Sequence, residues 1–357
     1  MLRLLRFPPL RAAGRLRRPV RRVIVVQAKP NPSHDYYLAP RLAAPGMPAH
    51  EVHSLAASPG AIAPDRFDGA LVLFCRYLNR PWLAAAEAMA DRIAGIGYFI
   101  DDDLDALFAD RTVPLSYRLT IAWRALIHRR RLSRSLDLAY ASSPVIGRRH
   151  DVGGLRILAP LAGPEDEPAF HVPAAHPGDA GERPLRLAFH STRVHAGEHR
   201  WLAALMRELM PRLPGTMLEV YAETSLQPLW QGVPQTLLRT ALPWPLFRQR
   251  TREDGADLLL APLLDNEGNA GRSPTKRIEA MRLGAALLVS DPAIYRPGPE
   301  EEALGMCVPA EPAPWMAAIE TLATDRPRLA RLRALNREAV LAAQPGAEPL
   351  LRPDEIA

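Results

Sequence analysis

The stretch NAGRSPTKRIEAMRLG, residues 269–284, gathers residue types that hold phosphate. Arg272, Lys276 and Arg277 surround what reads as the start of a helix, where unpaired N–H groups already carry partial positive charge. Cations there are mildly unfavourable unless an anion lies among them. Ser273 suits the N-cap, and Pro274 the first helical position, where its missing N–H costs nothing. The third position, which a capping box would fill with Glu or Gln, falls to Lys276. Free amides, the Ser273 and Thr275 hydroxyls and the Lys276 ammonium would together cradle a phosphate. Glu279 projects from nearly the same face one turn on, placed to accept ribose hydroxyls, while Ile278 and Met281 would hold the helix to a sheet. Read instead as a plain surface helix, the same residues leave Lys276 and Glu279 paired in solvent.

A second group is Asp101, Asp102, Asp103 and Asp105 in GYFIDDDLDAL. Carboxylates this close repel, so at least one must titrate high or pair with a cation. One could act as a general base or grip acceptor hydroxyls. The group also reads as a strand end capping a helix, where acids are favoured, and its composition would suit a Mg²⁺ cluster. Among the histidines, His195 in STRVHAGEH could donate to phosphate or sugar, or cap a helix, and His34 in NPSHDYY could face the same cleft. His128 with Arg129, Arg130, Arg131 and Arg134 reads as a solvated basic helix end, or as an acceptor or membrane patch. No nucleophile elbow, P-loop, zinc spacing or dinucleotide GxGxxG stands in a fitting context, and no metal site is expected. Cys75 and Cys307 are isolated in apolar surroundings and read as buried free thiols in a reducing cytosol.

The elements that must position these groups alternate between two kinds. RRVIVV (21–26), GALVLF (69–74), GIGYFI (95–100) and LDLAYAS (136–142) read as strands, with helices over 82–94 and 115–132. A run rich in proline, glycine and acid, 159–184, reads as a linker. Alternation then resumes with strands at 185–190, 217–223, 256–263 and 285–291. A helix over 197–210 places Leu202, Leu205, Met206 and Leu209 on one face. The expected fold is α/β: two tandem Rossmann-like, doubly wound domains, at 23–158 and 185–345, before a loose tail at 346–357. A chain of 357 residues is long enough for two such cores. Ligands bind beyond the carboxyl ends of strands in open α/β sheets, which singles out loops 27–36, 101–110, 190–198 and 264–275.

The net charge of +6 is unevenly spread. Residues 1–22 hold eight arginines and no acid, leaving −2 for the remainder. Such a tail, expected to be disordered, could touch an anionic membrane surface through its leucines and arginines. It lacks interleaved aromatics and the body is slightly acidic, so nucleic acid is not an expected partner. Only two of the 45 basic residues are lysines, Lys29 and Lys276, so an isolated arginine carries little weight. No segment reaches 18 uninterrupted apolar residues, so no spanning helix is expected, and the expected location is the cytoplasm, with peripheral contact at the inner membrane face as an option.

The run ADLLLAPLLDNEGNAGRSPTKRIEAMRLGAALLVSDPAIYR (256–296) resembles the nucleotide-sugar half of two-domain GT-B glycosyltransferases, family 4 (group 1) and relatives. FHSTRVHAGEHRWL (189–202), GYFIDDDLDAL (97–107) and PNPSHDYYLAPRL (30–42) are similar to further landmarks of that group, in the expected order. The resemblance implies a GT-B fold facing a cleft, and sugar transfer from a nucleotide diphosphate sugar to a glycan, lipid or small-molecule acceptor. It also implies retention of configuration and no metal or other cofactor. By position, Glu279 would hold the ribose, and Ser273, Thr275, Lys276 and Arg272 the diphosphate. Arg193 and His195 would join them from the first loop of the C-terminal domain. Asp101 and His34 would contact the acceptor, and Asp102 and Asp103 are the catalytic candidates. Three departures stand out. Gly271 occupies the place of the first acid of the family's Glu-x7-Glu pair, the lysine expected after Arg193 has only Arg200 as a loose substitute, and the first loop lacks its glycines. A nucleotide- or glycan-binding module without catalysis, or a sugar-nucleotide epimerase, are the alternative readings.

Overall fold

The computed structural model describes residues 7–169, 184–290, 292–344 and 346–357. Near-continuous aliphatic runs form central strands because both faces of each sheet are covered. Strands β1 (Arg22–Gln27), β2 (Ala49–Ser54), β3 (Ala70–Cys75), β4 (Gly95–Ile100), β5 (Leu138–Ala141) and β6 (Arg156–Ile157) make the first sheet, in the order β2-β1-β3-β4-β5-β6. Strands β7 (Leu185–His190), β8 (Thr216–Ala222), β9 (Thr236–Thr240), β10 (Leu258–Ala261) and β11 (Ala286–Val289) make the second, in the order β9-β8-β7-β10-β11. All pairings in both sheets are parallel. The order reverses between β1 and β3 in one sheet and between β7 and β10 in the other. Those are the crevices where such sheets bind ligands.

The helices that matter for the cleft are α1 (Arg80–Ala88), α2 (Leu104–Ala109), α3 (Leu115–Arg124), α4 (Ala196–Leu209), α5 (Trp244–Asp254), α6 (Glu267–Ala270), α7 (Thr275–Arg282), α8 (Pro312–Thr324) and α9 (Arg326–Ala342). The expected single helix over 115–132 breaks after Arg124 into a tight turn at Leu126–His128 and a short helix at Arg129–Leu132. The segment 313–345 is two helices, divided at Asp325, whose carboxylate caps α9 by accepting from Arg328 N at 3.0 Å.

One core fills the C-terminal domain, and two cover the faces of the N-terminal sheet. The inner of these takes Ile278 and Met281 from α7, Val340 from α9, and Leu350 and Leu351. The last dozen residues are therefore not a loose tail. Tyr140 Oη and Arg156 Nη1 donate to the Leu350 carbonyl at 2.9 and 3.0 Å, and Ile356 bridges Val20. The basic N-terminal segment differs from expectation in the same way over its described part. Leu10 and Val20 are buried, and Arg11–Ala12 pairs in parallel with Asp151–Val152. Residues 1–6, and 170–183 of the linker, lie outside the described residues. The linker's first part packs between the domains, where Asp166 is wholly buried.

Candidate functional site

A cavity of about 620 Å³ opens between the domains, lined by the carboxyl ends of both sheets. From the C-terminal side, α7 points its first turn at it. The helix starts at Thr275 with Pro274 as its cap residue and no side-chain cap, so the expected capping by Ser273 does not occur. Ser273 Oγ instead hydrogen-bonds the Tyr37 hydroxyl across the cleft. In the first turn of α7 the Thr275 amide donates to the Ser273 carbonyl at 2.8 Å and the Arg277 amide to the Pro274 carbonyl at 3.0 Å, which leaves the Lys276 amide, at the positive end of the helix, to meet an anion.

Lys276 Nζ donates to Glu279 Oε2 and to the His190 carbonyl, both at 2.6 Å. The two side chains do pair, yet both line the cavity and Glu279 is buried. Arg277 leaves the expected cation cluster. It pairs with Glu301 at 2.7 and 2.9 Å and donates to the Tyr295 carbonyl, fastening α7 on its far side. Arg272, Thr275, Arg193 and His195 all line the cavity. Arg193 Nε lies 3.6 Å from Glu223, and its guanidinium sits 5.3 Å from the Tyr117 ring centroid. Burial and the nearby Arg272 depress the pKa of His195, which keeps its ring neutral near pH 7. Arg200 is exposed on α4, outside the cavity lining.

The N-terminal side resolves the acidic cluster by giving each carboxylate an arginine. Asp102 is clasped by Arg76 and Arg272, so the clasp spans the two domains. Burial opposes its charge, but Arg272, Arg76 and His195 outweigh it and hold Asp102 below the usual carboxylate range. Asp101 accepts from the Ser33 hydroxyl and lies 3.6 Å from Arg76. Burial raises its pKa, aided by the Asp102 charge and opposed by Arg76, and its Oδ1 is buried with no partner among the described residues. Asp103 takes no part in the cavity lining. It caps α2 by accepting from Ala106 N at 3.0 Å and pairs with Arg149. Asp105 pairs with Arg129 at 2.7 and 2.8 Å. His34 also stands off the cavity, bonded to Asp35 at 2.8 Å. Asp35 in turn accepts from Trp244 Nε1 of α5 at 2.7 Å, so this pair ties the domains together. Among the described residues no three His, Cys, Asp or Glu side chains are grouped as a metal site.

Gly271 has a steric reason for lacking a side chain. A Cβ there would lie 3.0 Å from Asp103 Cβ and 3.4 Å from Ile146 Cγ1, and its carbonyl accepts from Ser143 Oγ at 2.9 Å. The position expected to carry an acid is a direct contact between the two domains.

Arg76 was not singled out in the sequence. It follows β3 at the switch point, takes φ 63°, and reaches Asp101, Asp102 and the Tyr117 hydroxyl from one half-buried position. Its place after a strand in the first sheet was the available signal, masked by the abundance of arginine. Tyr221, Trp244 and Phe247 likewise line the cavity from the C-terminal domain. They add an apolar aromatic wall to the charged floor.

No family model matches the chain, and no curated protein matches it. Solved structures do. The chain is similar to the crystal structure of TarM, with a TM-score of 0.53 and 11% identity over 81% of this chain. It spans 54%, about half, of the TarM chain. It is similar to sucrose-phosphate synthase from Thermosynechococcus elongatus, with a TM-score of 0.55 and 12% identity over 90% of this chain and 94% of that one. A trehalose-6-phosphate structure from E. coli bound with UDP-2-fluoro glucose matches with a TM-score of 0.52 and 11% identity, over 90% of this chain and 95% of that one. At these identities the likeness is one of fold, and it agrees with the sheet orders above. The chain has the GT-B fold, two Rossmann-like domains facing a cleft.

Proposed function

We propose that the protein is a retaining glycosyltransferase resembling family 4, transferring a sugar from a nucleotide diphosphate sugar to a glycan, lipid or small-molecule acceptor. The observation that carries this reading is the convergence at the first turn of α7. Thr275, Lys276, Arg272 and Arg193 meet in the interdomain cavity at the positive end of that helix, with Glu279 one turn further in. A diphosphate there would displace Lys276 from Glu279 and free the carboxylate for the ribose. Negative charge growing on the departing diphosphate is stabilised by cations and amides already in place, without a metal. Asp101, with its unpartnered oxygen, is the group we assign to an acceptor hydroxyl, and Asp102 holds Arg76 and Arg272 in position. We place the protein in the cytoplasm or on the inner membrane face, with the basic N-terminal segment able to meet anionic lipid. No helix among the described residues is long and apolar enough to cross a membrane.

Release of UDP or GDP only when a suitable acceptor is supplied tests the reading. Glu279→Ala should weaken nucleotide-sugar binding about ten-fold or more, since it removes a charged hydrogen-bond partner. If no nucleotide diphosphate gave a thermal shift, or if Glu279→Ala bound as tightly as the wild type, the donor site would lie elsewhere. The contact at Gly271 favours a second reading, a binding module without turnover, because a side chain at the place of the missing acid would crowd Asp103 and Ile146. Donor binding across UDP-, GDP-, ADP- and CMP-sugars with no hydrolysis and no transfer would select it.

A further inference from the structure

Four large apolar side chains protrude from the surface at a spacing of four residues. Leu115 (55% exposed), Leu119 (49%) and Trp123 (72%) lie on α3, and Ile127 (46%) on the turn that follows. On a helix that spacing forms one stripe, while Ile121 is buried toward the core. Single exposed aliphatic side chains are ordinary, and Val52 and Leu246 are such cases here. A stripe of four, with a tryptophan as its most exposed member, marks a surface that something covers.

Charge identifies what covers it. Residues 111–134 contain seven arginines and no acid. Arg129 and Arg131 are used internally against Asp105 and Glu87, and Arg118 donates to the Phe108 carbonyl at 2.6 Å. Arg111, Arg124, Arg130 and Arg134 are exposed and have no acidic partner among the described residues. A second copy of the chain would bring the same unpaired cations against these across a two-fold axis, where they repel. An anionic bilayer meets every feature at once: acyl chains for the leucines, the headgroup layer for Trp123, and lipid phosphates for the arginines.

We propose that α3 and the turn after it dock the protein peripherally on an anionic phospholipid surface, with Leu115, Leu119, Trp123 and Ile127 entering the headgroup–acyl boundary. Tyr117, Thr120 and Arg124 of the same segment line the cavity, so docking sets the cleft beside the headgroups. The proposal stands on the outer face of α3 and holds whether or not the transferase reading does.

Flotation of the full-length protein with phosphatidylcholine vesicles, with and without phosphatidylglycerol, tests it. Binding is expected only with phosphatidylglycerol, and to be reversed by high salt. Leu119→Ser with Trp123→Ser should lower the bound fraction by about ten-fold or more at unchanged thermal unfolding, because both residues are already exposed. Arg130→Glu with Arg134→Glu should abolish the preference for anionic lipid. The proposal fails if the wild type ignores both vesicle types. It also fails if the Leu119/Trp123 variant floats like the wild type, since the N-terminal segment then carries binding. A wild-type dimer that the same variant dissociates would make the stripe a protein interface instead.

Discussion

Side chains in this cleft are held by partners that a ligand would have to replace. Lys276 pairs with Glu279, and Arg272 with Asp102, each a cation against a carboxylate. Gly271 is one of the places where the two sides meet closely. Its φ of −84° suits any residue, so the cost of a side chain there comes from contact alone. Gly271→Ala would push a methyl group against the buried cap residue Asp103 and should destabilise the protein by about 1–3 kcal/mol, measurable by urea denaturation. An alanine variant as stable as the wild type would show that the domains yield easily there, and that an acid could be restored. At this scale the sequence was informative where chemistry is local. Ser273 to Glu279 sit within two helical turns, so their shared approach to one cavity follows from spacing. Arg76 and Tyr37 reach the site only through the fold, and no local pattern marks either. The Asp103 side chain looked like its neighbours in sequence, but one step along the chain turned it from the cleft to a helix end.

Elements were legible in proportion to their burial. Central strands β1, β3, β4 and β7 announce themselves as aliphatic runs, whereas edge strands β2 (AHEVHS) and β9 (TLLRT) are half solvated and carry no such signal. Helix α4 shows how an element is tied to the site beyond its apolar face. His199 on α4 is fully buried. Its Nδ1 accepts from Trp230 Nε1 at 3.0 Å, and its Nε2 lies 3.3 Å from the Ser191 carbonyl at the end of β7. This arrangement needs a neutral ring, and burial lowers its pKa from 6.5 to about 4. The unfolded chain therefore binds a proton at a pH where the folded one does not. Stability from this group is complete above pH 6.5 and is lost as pH falls towards about 4. Glu198 and Glu219, both held near about 2 against burial, chiefly by His195 and His190, add a further loss as pH falls from about 4.5 towards about 2. Thermal unfolding followed against pH should decline in two stages. His199→Gln should shrink the first stage and leave the second. An unfolding temperature flat between pH 6.5 and 4 would contradict the assignment.

The whole molecule depends on how two independent sheets are held at one cleft, and one clasp between them is ionic. Arg282 of α7 is completely buried. It donates to Tyr36 of the N-terminal domain at 2.7 Å, to Asp166 of the linker at 2.9 Å and to Thr251 of α5 at 2.9 Å. Its guanidinium also lies 5.5 Å from the Trp244 ring centroid. Arg248 of α5 adds contacts to Asp166 at 2.8 Å and Asp35 at 3.3 Å. Nothing in the local sequence distinguishes Arg282 from Arg277 or Arg272, because which arginine faces the linker is decided by α7 packing between the domains. The clasp makes a demanding prediction. Removing one partner of a buried ion pair leaves the other uncompensated, which typically costs about 3–5 kcal/mol, while replacing both by neutral groups costs less. Arg282→Leu should therefore destabilise strongly and split thermal unfolding into two transitions as the domains lose their coupling. Adding Asp166→Asn to that variant should recover part of the loss, since it removes the stranded charge, although Arg248 then gives up its own partner. Calorimetry of the two single variants and the double variant distinguishes the cases. A double variant whose loss equals the sum of the singles would mean that Arg282 and Asp166 act independently, and the clasp would then be a matter of packing rather than charge.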